Sequence, residues 1–448
     1  MDILAAVSVL IVLGAVMVVA KLCARRLGPE GSRKTIHIVM GCTALCFPYI
    51  FQHKQTVVFL GIIAVSLLLF MRRNVFLRNG VGTALLSVGR KSLGDVYFVI
   101  SIVMLFLLHN ETYEYLIPVA VLTFADSVAA LIGVGYGRYN MAQHEEEAKK
   151  SGEGSVMFFI VAFACTLIPL QLMTEVGRAE VLVISGLIGI LAAMIEAVTR
   201  HGNDNLLLPL LTYSVLCYNV EQTLSLIFAN LSIMLFFLAV VYMVRKITNI
   251  SRLSMAYSLL VGYIVLMLGG ISWVIPPLLL FLTFGIFPMM NAEEKSMIQT
   301  YKVIESNSIV GIICLVLTGF FPEYRNMLYI SYSLSFAILL GINTYSRFLN
   351  FRNRSTASSI VWGLVKAIGF IALPSLMISV VPLSRWYIYV LYLAFTAIPM
   401  PFAVSLNRKY DYKKVGDATF NANKILVGGL VLVFTIILLL IGEYNGLF

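Results

Sequence analysis

Residues 116–137 read LIPVAVLTFADSVAALIGVGYG, and Asp126 is the one charged residue among them. About 20 apolar residues are enough to cross a bilayer as an α-helix. Asp126 lies about ten residues into the run, so at about 1.5 Å per residue it is roughly 15 Å from either end. An unpaired carboxylate at that depth costs at least a few kcal/mol. The stretch therefore predicts a membrane helix whose Asp126 needs a cation, a metal or a water-filled cavity.

The same apolar character extends over the whole chain of 448 residues. The chain is 60% hydrophobic and 12% charged, and its mean hydropathy is +0.93. Soluble domains are nearer half apolar and a quarter charged, so the composition excludes a soluble globular protein. We expect an all-α, polytopic integral membrane protein with about sixteen transmembrane helices of about 20 residues each. We expect two halves, residues 1–245 and 246–448.

Basic residues alternate between the links that join the apolar runs. Of the 32 Lys and Arg residues, 27 fall in one alternating set of links and 4 fall in the other set. Cytoplasmic links carry the excess of Lys and Arg, so we expect the first set to be cytoplasmic. The same rule explains the net charge of +10 without nucleic acid as a partner. We expect a retained first helix, no plastid transit peptide and a bacterial cytoplasmic membrane.

Acidic side chains cluster at the predicted cytoplasmic ends of the apolar runs between residues 30 and 210. An ionisable residue at membrane depth is a functional candidate by default. Oxygen-rich sites with few protein ligands suit Mg²⁺. We predict a Mg²⁺ site built from four carboxylates, with an amide as a further oxygen: Asp95, Asp126, Glu196, Asp204 and Asn205.

Basic residues and glycines accompany these acids at predicted helix starts. A glycine-rich backbone beside a helix N-terminus suits phosphate oxygens. We therefore predict a nucleotide site made of Arg90, Lys91, Ser92, Gly133, Gly137, Lys150, Ser151, Gly152, Gly154 and Ser155. A further basic group is Arg33, Lys34 and His37. It either anchors the topology or faces the same site.

Carboxylates, cations and glycine turns on one membrane face indicate a site for Mg²⁺ and a nucleotide. Phosphoryl transfer needs a metal and cationic clamps on the phosphates, and it needs alignment of the acceptor oxygen. The apolar surroundings suit a lipid alcohol as the acceptor. Structural explanations stay open at this point. Asp95 could be a helix cap, Asp126 a structural ion pair, and residues 149–155 a flexible loop.

Five motifs occur in order along the first half of the chain. They are R-K-x-x-H at 33–37, G-R-x-S-x-G-D at 89–95, A-D-S-x-A-A-L-I-G-x-x-Y-G at 125–137, K-S-x-E-G-S at 150–155 and E…D-N-L-x-x-P at 196–209. Together they resemble the CTP-dependent polyprenol kinase family, which includes phytol kinases, dolichol kinases and yeast-type diacylglycerol kinase. The resemblance implies phosphate transfer from CTP, or UTP, to an isoprenoid alcohol such as phytol. It implies catalytic roles for Asp126, Asp95 and Asp204.

The second half faintly resembles the phytyl-phosphate kinase membrane family. That family's pattern has an acid where this chain has Asn343, and Arg347 stands where the pattern has Glu. The resemblance implies either a second phosphorylation by this half or a degenerate domain. Two rivals to the kinase hypothesis stay open. One is a phosphatidate cytidylyltransferase that makes CDP-diacylglycerol, and the other is a non-enzymatic lipid transporter.

Overall fold

The structure is a computed structural model, and it confirms the predicted all-α class. It describes residues 2–73, 93–138, 150–199, 202–244, 251–286, 301–379, 385–409 and 416–444. Within these ranges the chain folds into helices joined by turns and short links. The chain divides into two compact units, Met1–Leu235 and Phe236–Phe448. The functional division at residues 245 and 246 stays a prediction.

The first unit consists of apolar helices in short succession. They are α1 (Asp2–Leu45), α2 (Phe47–Ile50), α3 (Lys54–Arg73), α4 (Gly94–Leu108), α5 (Thr112–Ala120), a π-helical turn (Val121–Ala125), α6 (Asp126–Tyr136), α7 (Gly152–Met173), α8 (Arg178–Val198), α9 (Asp204–Val220) and α10 (Leu224–Val244). The boundary between the two units falls within α10.

The first helix is not straight. Asp2 Oδ2 accepts hydrogen bonds from the main-chain N–H groups of Gln52 and His53, at 3.2 and 3.0 Å. A straight helix of 44 residues would separate its ends by about 65 Å. Because Gln52 lies only a few residues beyond the end of α1, the helix must turn back on itself. Val16 accordingly packs against Ile36. α1 thus holds both apolar runs that flank the first basic stretch of the sequence.

The predicted number of about sixteen transmembrane helices is wrong. Among the described residues, eight helices are long and apolar enough to cross a membrane. These are Lys54–Arg73, Thr112–Tyr136, Gly152–Met173, Arg178–Val198, Pro322–Phe351, Thr356–Ile378, Trp386–Leu406 and Ala422–Gly442. Six further apolar stretches within the described helices have 10–17 residues. The expected number assigned about 20 apolar residues to every run, whereas these six described stretches fall short of that length. The eight long helices make the chain an integral membrane protein.

The segment that carries Asp126 lies in the interior of the first unit. α5, the π-helical turn and α6 form one continuous rod, which packs against α1, α7 and α9. Pro118 in α5 has no N–H group to donate, and the helix widens into the π-helical turn three residues later. Single π-helical turns inside α-helices are frequent at functional sites. This one ends directly before Asp126.

Small residues bring the start of α7 against α6. A Cβ atom on Gly154 would lie 3.1 Å from the carbonyl oxygen of Ala129 and 3.1 Å from Ser151 Oγ. A Cβ atom on Gly133 would also lie 3.1 Å from Ser151 Oγ. Helices approach this closely only where side chains are small. The contact fixes the N-terminus of α7 beside α6.

The second unit is also all-helical where it is described. Its elements are α11 (Arg252–Gly269), α12 (Ile271–Ile286), α13 (Tyr301–Phe320), a 3-10 turn (Pro322–Tyr324), α14 (Arg325–Phe351), α15 (Thr356–Lys366), a π-helical turn (Ala367–Ala372), α16 (Leu373–Ile378), α17 (Trp386–Ala397), α18 (Pro399–Lys409) and α19 (Gly416–Tyr444). α14 is the central helix of this unit, because most of its residues are buried.

Replacing Gly154 by Val should separate α6 from α7, because the new Cβ would press on the Ala129 carbonyl. We expect a loss of about 1–3 kcal/mol in the free energy of unfolding, as for other overpacked sites. Gly135→Val is the matched control on α6, since nothing lies within 4 Å of a Cβ at that glycine. The measurement is thermal unfolding in detergent, and equal losses in both variants would contradict the close-packing account.

Candidate active site

Three carboxylates from three helices meet within the first unit. Asp126 begins α6, Glu196 lies in the last turn of α8, and Asp204 begins α9. One oxygen from each carboxylate lies within 4.8 Å of the other two. The side chains of Asp126 and Glu196 are only 11% and 18% exposed. We call Asp126, Glu196 and Asp204 the carboxylate cluster.

The carboxylate cluster fits the requirements of Mg²⁺. Octahedral Mg²⁺ holds its oxygens at about 2.0–2.1 Å, so ligand oxygens are about 3 Å apart when adjacent and about 4 Å apart when opposite. The cluster spacing of at most 4.8 Å is within an ångström of that range. In the described part of the chain, Glu196 Oε2 is buried without a hydrogen-bond donor. A buried carboxylate oxygen without a partner is costly, and a bound cation would remove that cost.

Lys34 reaches the carboxylate cluster from α1. Its Nζ donates to Asp126 Oδ2 at 2.7 Å and to the main-chain oxygen of Asp126 at 3.1 Å. Lys34 is 2% exposed, so the pair lies in a region of low dielectric. Arg33 is near enough to contribute to the electrostatic environment of Asp126. The structural ion pair that the sequence left open at Asp126 is therefore present, and it engages the carboxyl oxygen Oδ2.

His37 lies one turn further along α1. Its Nε2 is 3.0 Å from the carbonyl oxygen of Leu122 and 3.4 Å from Asp126 Oδ2. Because a carbonyl oxygen can only accept, Nε2 carries a proton and donates it to Leu122. The ring of Phe98 packs edge-on against the imidazole, with the centroids 5.1 Å apart. His37 thus links α1 to the π-helical turn that precedes Asp126.

The predicted phosphate segment is the N-terminus of α7, beside the carboxylate cluster. Lys150 donates to Glu196 Oε1 at 2.8 Å and also to the main-chain carbonyl of Glu196. Ser151 caps the helix, because its Oγ accepts from the N–H of Gly154 at 3.1 Å. Ser155 Oγ donates to the Ser151 carbonyl at 3.3 Å. The two hydroxyl groups therefore stabilise the helix start.

The predicted glycines lie at the same helix start. Gly152 is the first residue of α7. A Cβ atom on Gly137 would press on Ser151 and on the carbonyl of Gly133. These glycines allow the main chain of α6 and the start of α7 to approach each other. Arg90, Lys91 and Ser92, the other predicted nucleotide residues, lie outside the described residues.

Asp95 does not join the carboxylate cluster. It forms an ion pair with Arg72 of α3, so three of the four predicted metal ligands come together and the fourth is engaged elsewhere. Asn205 Nδ2 donates to the carbonyl oxygen of Gly94 at 2.8 Å, which ties the start of α9 to the start of α4. Arg72 could not be singled out from the sequence, where it looks like one more positive-inside arginine.

Part of this arrangement recurs within the second unit. The sequence K-S-G-E-G-S at 150–155 has a counterpart in R-S-T-A-S-S at 354–359. There Ser355 caps α15, and its Oγ accepts from the N–H of Ser358 at 3.3 Å. Both segments are therefore capped helix starts that follow a basic residue.

An uncharged pair of amides joins two helices of the second unit. Asn423 Nδ2 donates to Asn343 Oδ1 at 3.4 Å, which joins α19 to α14. In the first unit the carboxylates of Asp126 and Asp204 instead lie close together on the central rod and on α9. An amide pair carries no charge to attract a metal. Among the described residues, the carboxylate cluster is the one group of three side chains spaced to hold a metal.

A multispanning membrane protein that gathers acids and lysines among its apolar helices has the features expected of a membrane enzyme acting on a charged substrate. Over 203 residues the chain is 30% identical to the phytol kinase of Synechocystis sp., and the aligned region covers 44% of this chain and 84% of that relative. The chain therefore belongs to the polyprenol kinase family, which confirms the resemblance predicted from the five motifs. Membership of a kinase family makes it a membrane phosphotransferase. No protein-family model and no solved structure matches the chain.

Lys34→Met should destabilise the protein, because it leaves the Asp126 carboxylate buried without its cation. Removing one partner of a buried ion pair typically costs about 3–5 kcal/mol. The double variant Lys34→Met, Asp126→Asn removes both charges and should recover much of the lost stability. A double-mutant cycle of unfolding midpoints measures this coupling between the two residues.

Lys54→Met is the control for the lysine substitution, because the side chain of Lys54 donates to the Leu107 and His109 carbonyls at an exposed position. We expect it to change stability by at most about 0.5 kcal/mol. If the stability losses of the single Lys34 and Asp126 variants simply add up in the double variant, a direct ion pair between the two residues is contradicted.

Proposed function

We propose that this protein transfers a phosphate from CTP, or UTP, to the hydroxyl of an isoprenoid lipid alcohol such as phytol. The observation that carries the proposal is the carboxylate cluster beside the capped, lysine-bearing N-terminus of α7. Membership of the polyprenol kinase family supports a nucleotide donor and a lipid alcohol acceptor, and the relative's name, phytol kinase, supports a prenol.

In this proposal the two parts of the site bind different groups. Asp126, Glu196 and Asp204 would hold Mg²⁺, which when bound supplies positive charge against the phosphate oxygens. Lys150 and the first amides of α7 bind the phosphates, as cations and helix N-termini do for anions. Lys34 keeps Asp126 ionised and oriented, since their side chains are 2.7 Å apart.

The chemical step needs an acceptor for the hydroxyl proton. The alcohol oxygen forms a bond to the terminal phosphorus, the bond between that phosphorus and the nucleoside diphosphate breaks, and the proton moves to a carboxylate. We assign that role to Asp126, because its carboxylate is buried on the central rod and lies among the grouped acids where the hydroxyl would be placed. The remaining rate enhancement comes from alignment and electrostatics.

Lipid access to the site supports a membrane alcohol as the acceptor. α6 begins with Asp126, and further along the same helix Leu131 is 53% exposed and Val134 is 78% exposed. Exposed apolar side chains on a membrane helix face lipid. An isoprenoid chain could lie along this face with its hydroxyl at the carboxylate cluster.

The proposed active face is cytoplasmic. Lys34, Arg72 and Lys150 all belong to the basic links that the positive-inside rule assigns to the cytoplasm, and each pairs with an acid at or beside the site. Nucleoside triphosphates are cytoplasmic substrates, so this orientation brings the donor to the site.

Asp126→Asn, Glu196→Gln and Asp204→Asn should each lower the phosphorylation rate by about 10²-fold or more, because each removes a charge that acts in the transition state. Glu175→Gln, an exposed acid in the link between α7 and α8, is the matched control and should keep the wild-type rate. The assay is transfer of label from CTP to phytol in purified, folded protein. A wild-type rate in Asp126→Asn would contradict the proposed site.

The position of the label also separates the rival functions. A kinase transfers only the γ-phosphate label to the lipid, whereas a cytidylyltransferase transfers the α-phosphate label and releases pyrophosphate. A transporter consumes no CTP with any lipid alcohol. We expect γ-label alone, and α-label in the lipid would establish the cytidylyltransferase instead.

The second unit is proposed to lack an independent kinase centre, since the uncharged Asn343 and Asn423 pair in its interior. Mass spectrometry of the reaction products should therefore show the lipid monophosphate and no diphosphate. A diphosphate made from supplied monophosphate by the Asp126→Asn variant would assign a second phosphorylation to residues 246–448.

A further inference from the structure

The two lysines at the carboxylate cluster differ in how firmly they are held. Lys34 donates to both a side-chain and a main-chain oxygen of Asp126, and its side chain is 3% exposed. Lys150 pairs with Glu196 at the edge of the site, where the two side chains are 22% and 18% exposed. Lys34 is therefore locked inside the protein, while Lys150 has solvent on one side.

Lys150 pairs with one oxygen of a carboxylate whose other oxygen, Glu196 Oε2, lacks a hydrogen-bond donor and would bind a divalent cation. Its Nζ lies 2.8 Å from Glu196 Oε1, and Glu196 is one of the three grouped carboxylates. Three carboxylates and two lysines give the metal-free site a net charge of about −1, and a divalent cation would bring it to about +1. Because like charges a few ångströms apart repel strongly at low dielectric, Lys150 and the cation compete for Glu196.

The ammonium group of Lys150 has a second possible partner within reach, a phosphate at the N-terminus of α7. Lys150 directly precedes Ser151, the N-cap of α7, so its flexible four-carbon stem is rooted beside the first amides of that helix. A helix N-terminus favours phosphate oxygens, and an ammonium group that leaves Glu196 can bind the same phosphates without a change in the main chain.

We propose that Lys150 is an exchangeable counter-ion that neutralises Glu196 while no divalent cation is bound and moves to the phosphates when the metal and the nucleotide arrive together. This inference rests on the metal site of the proposed function. It makes the binding of the metal and of the nucleotide mutually favourable. The metal displaces Lys150 from Glu196, and the phosphates of the nucleotide bind the displaced ammonium group. Free divalent cations then bind the empty site weakly.

The test is Mn²⁺ binding to the full-length protein, measured by electron paramagnetic resonance with and without CTP and in the absence of lipid alcohol. Lys150→Met should bind Mn²⁺ at least about fivefold more tightly than the wild type without CTP, because one repelling charge is gone. The gain in Mn²⁺ affinity that CTP causes should shrink in the same variant. Lys150→Arg keeps the charge and should resemble the wild type, and Lys150→Gln is a second neutral variant should the Met variant fold poorly.

The outcomes separate this inference from the function on which it rests. If Mn²⁺ binds and Glu196→Gln weakens that binding, but neutral variants of Lys150 bind no more tightly than the wild type, the exchange is overturned and the metal site stands. If no variant binds Mn²⁺ with or without CTP, or if Glu196→Gln leaves binding unchanged, both the proposed metal site and the exchange are overturned.

Discussion

Carboxylates on apolar helices must be neutralised, and this constraint shapes the first unit. Asp126, Glu196 and Asp204 lie within 4.8 Å of one another on three different helices. Without compensation, their mutual repulsion and the loss of hydration would drive the helices apart. Lys34 from α1 and Lys150 from the start of α7 supply the compensation. Four helices and one helix start are thereby fixed around a single charged centre.

The lysines make the cluster compatible with folding before any ligand binds, and the acids leave it able to accept a cation. Close packing of α6 against α7 at Gly154 and Ala129 positions Lys150. The hydrogen bond from His37 to Leu122 holds α1 against the π-helical turn, which positions Lys34. Packing, capping and charge therefore depend on one another in this unit, and the proposed chemistry uses the same side chains.

The sequence predicted the membership of the cluster better than its contacts. Scarcity of charge in apolar runs singled out Asp126, Glu196 and Asp204, because burying an acid needs a strong compensating reason. The group Arg33, Lys34 and His37 was expected either to anchor the topology or to face the site, and only the turn of α1 back onto the central rod shows that Lys34 is the partner of Asp126. Asp95 was expected to bind the metal, but which base pairs with an acid depends on tertiary packing, and here that base is Arg72. The helix count failed because hydropathy marks apolar runs without giving their helical length.

The central claim is that one divalent cation and the phosphates of a nucleotide bind at the carboxylate cluster. The most direct measurement is an experimental structure with Mn²⁺ and a non-hydrolysable CTP analogue, with the ion located by its anomalous scattering. The account predicts a peak about 2.2 Å from one oxygen each of Asp126, Glu196 and Asp204, with the terminal phosphate beside the start of α7. A metal bound at Asp95 instead, or a nucleotide bound away from α7, would contradict it.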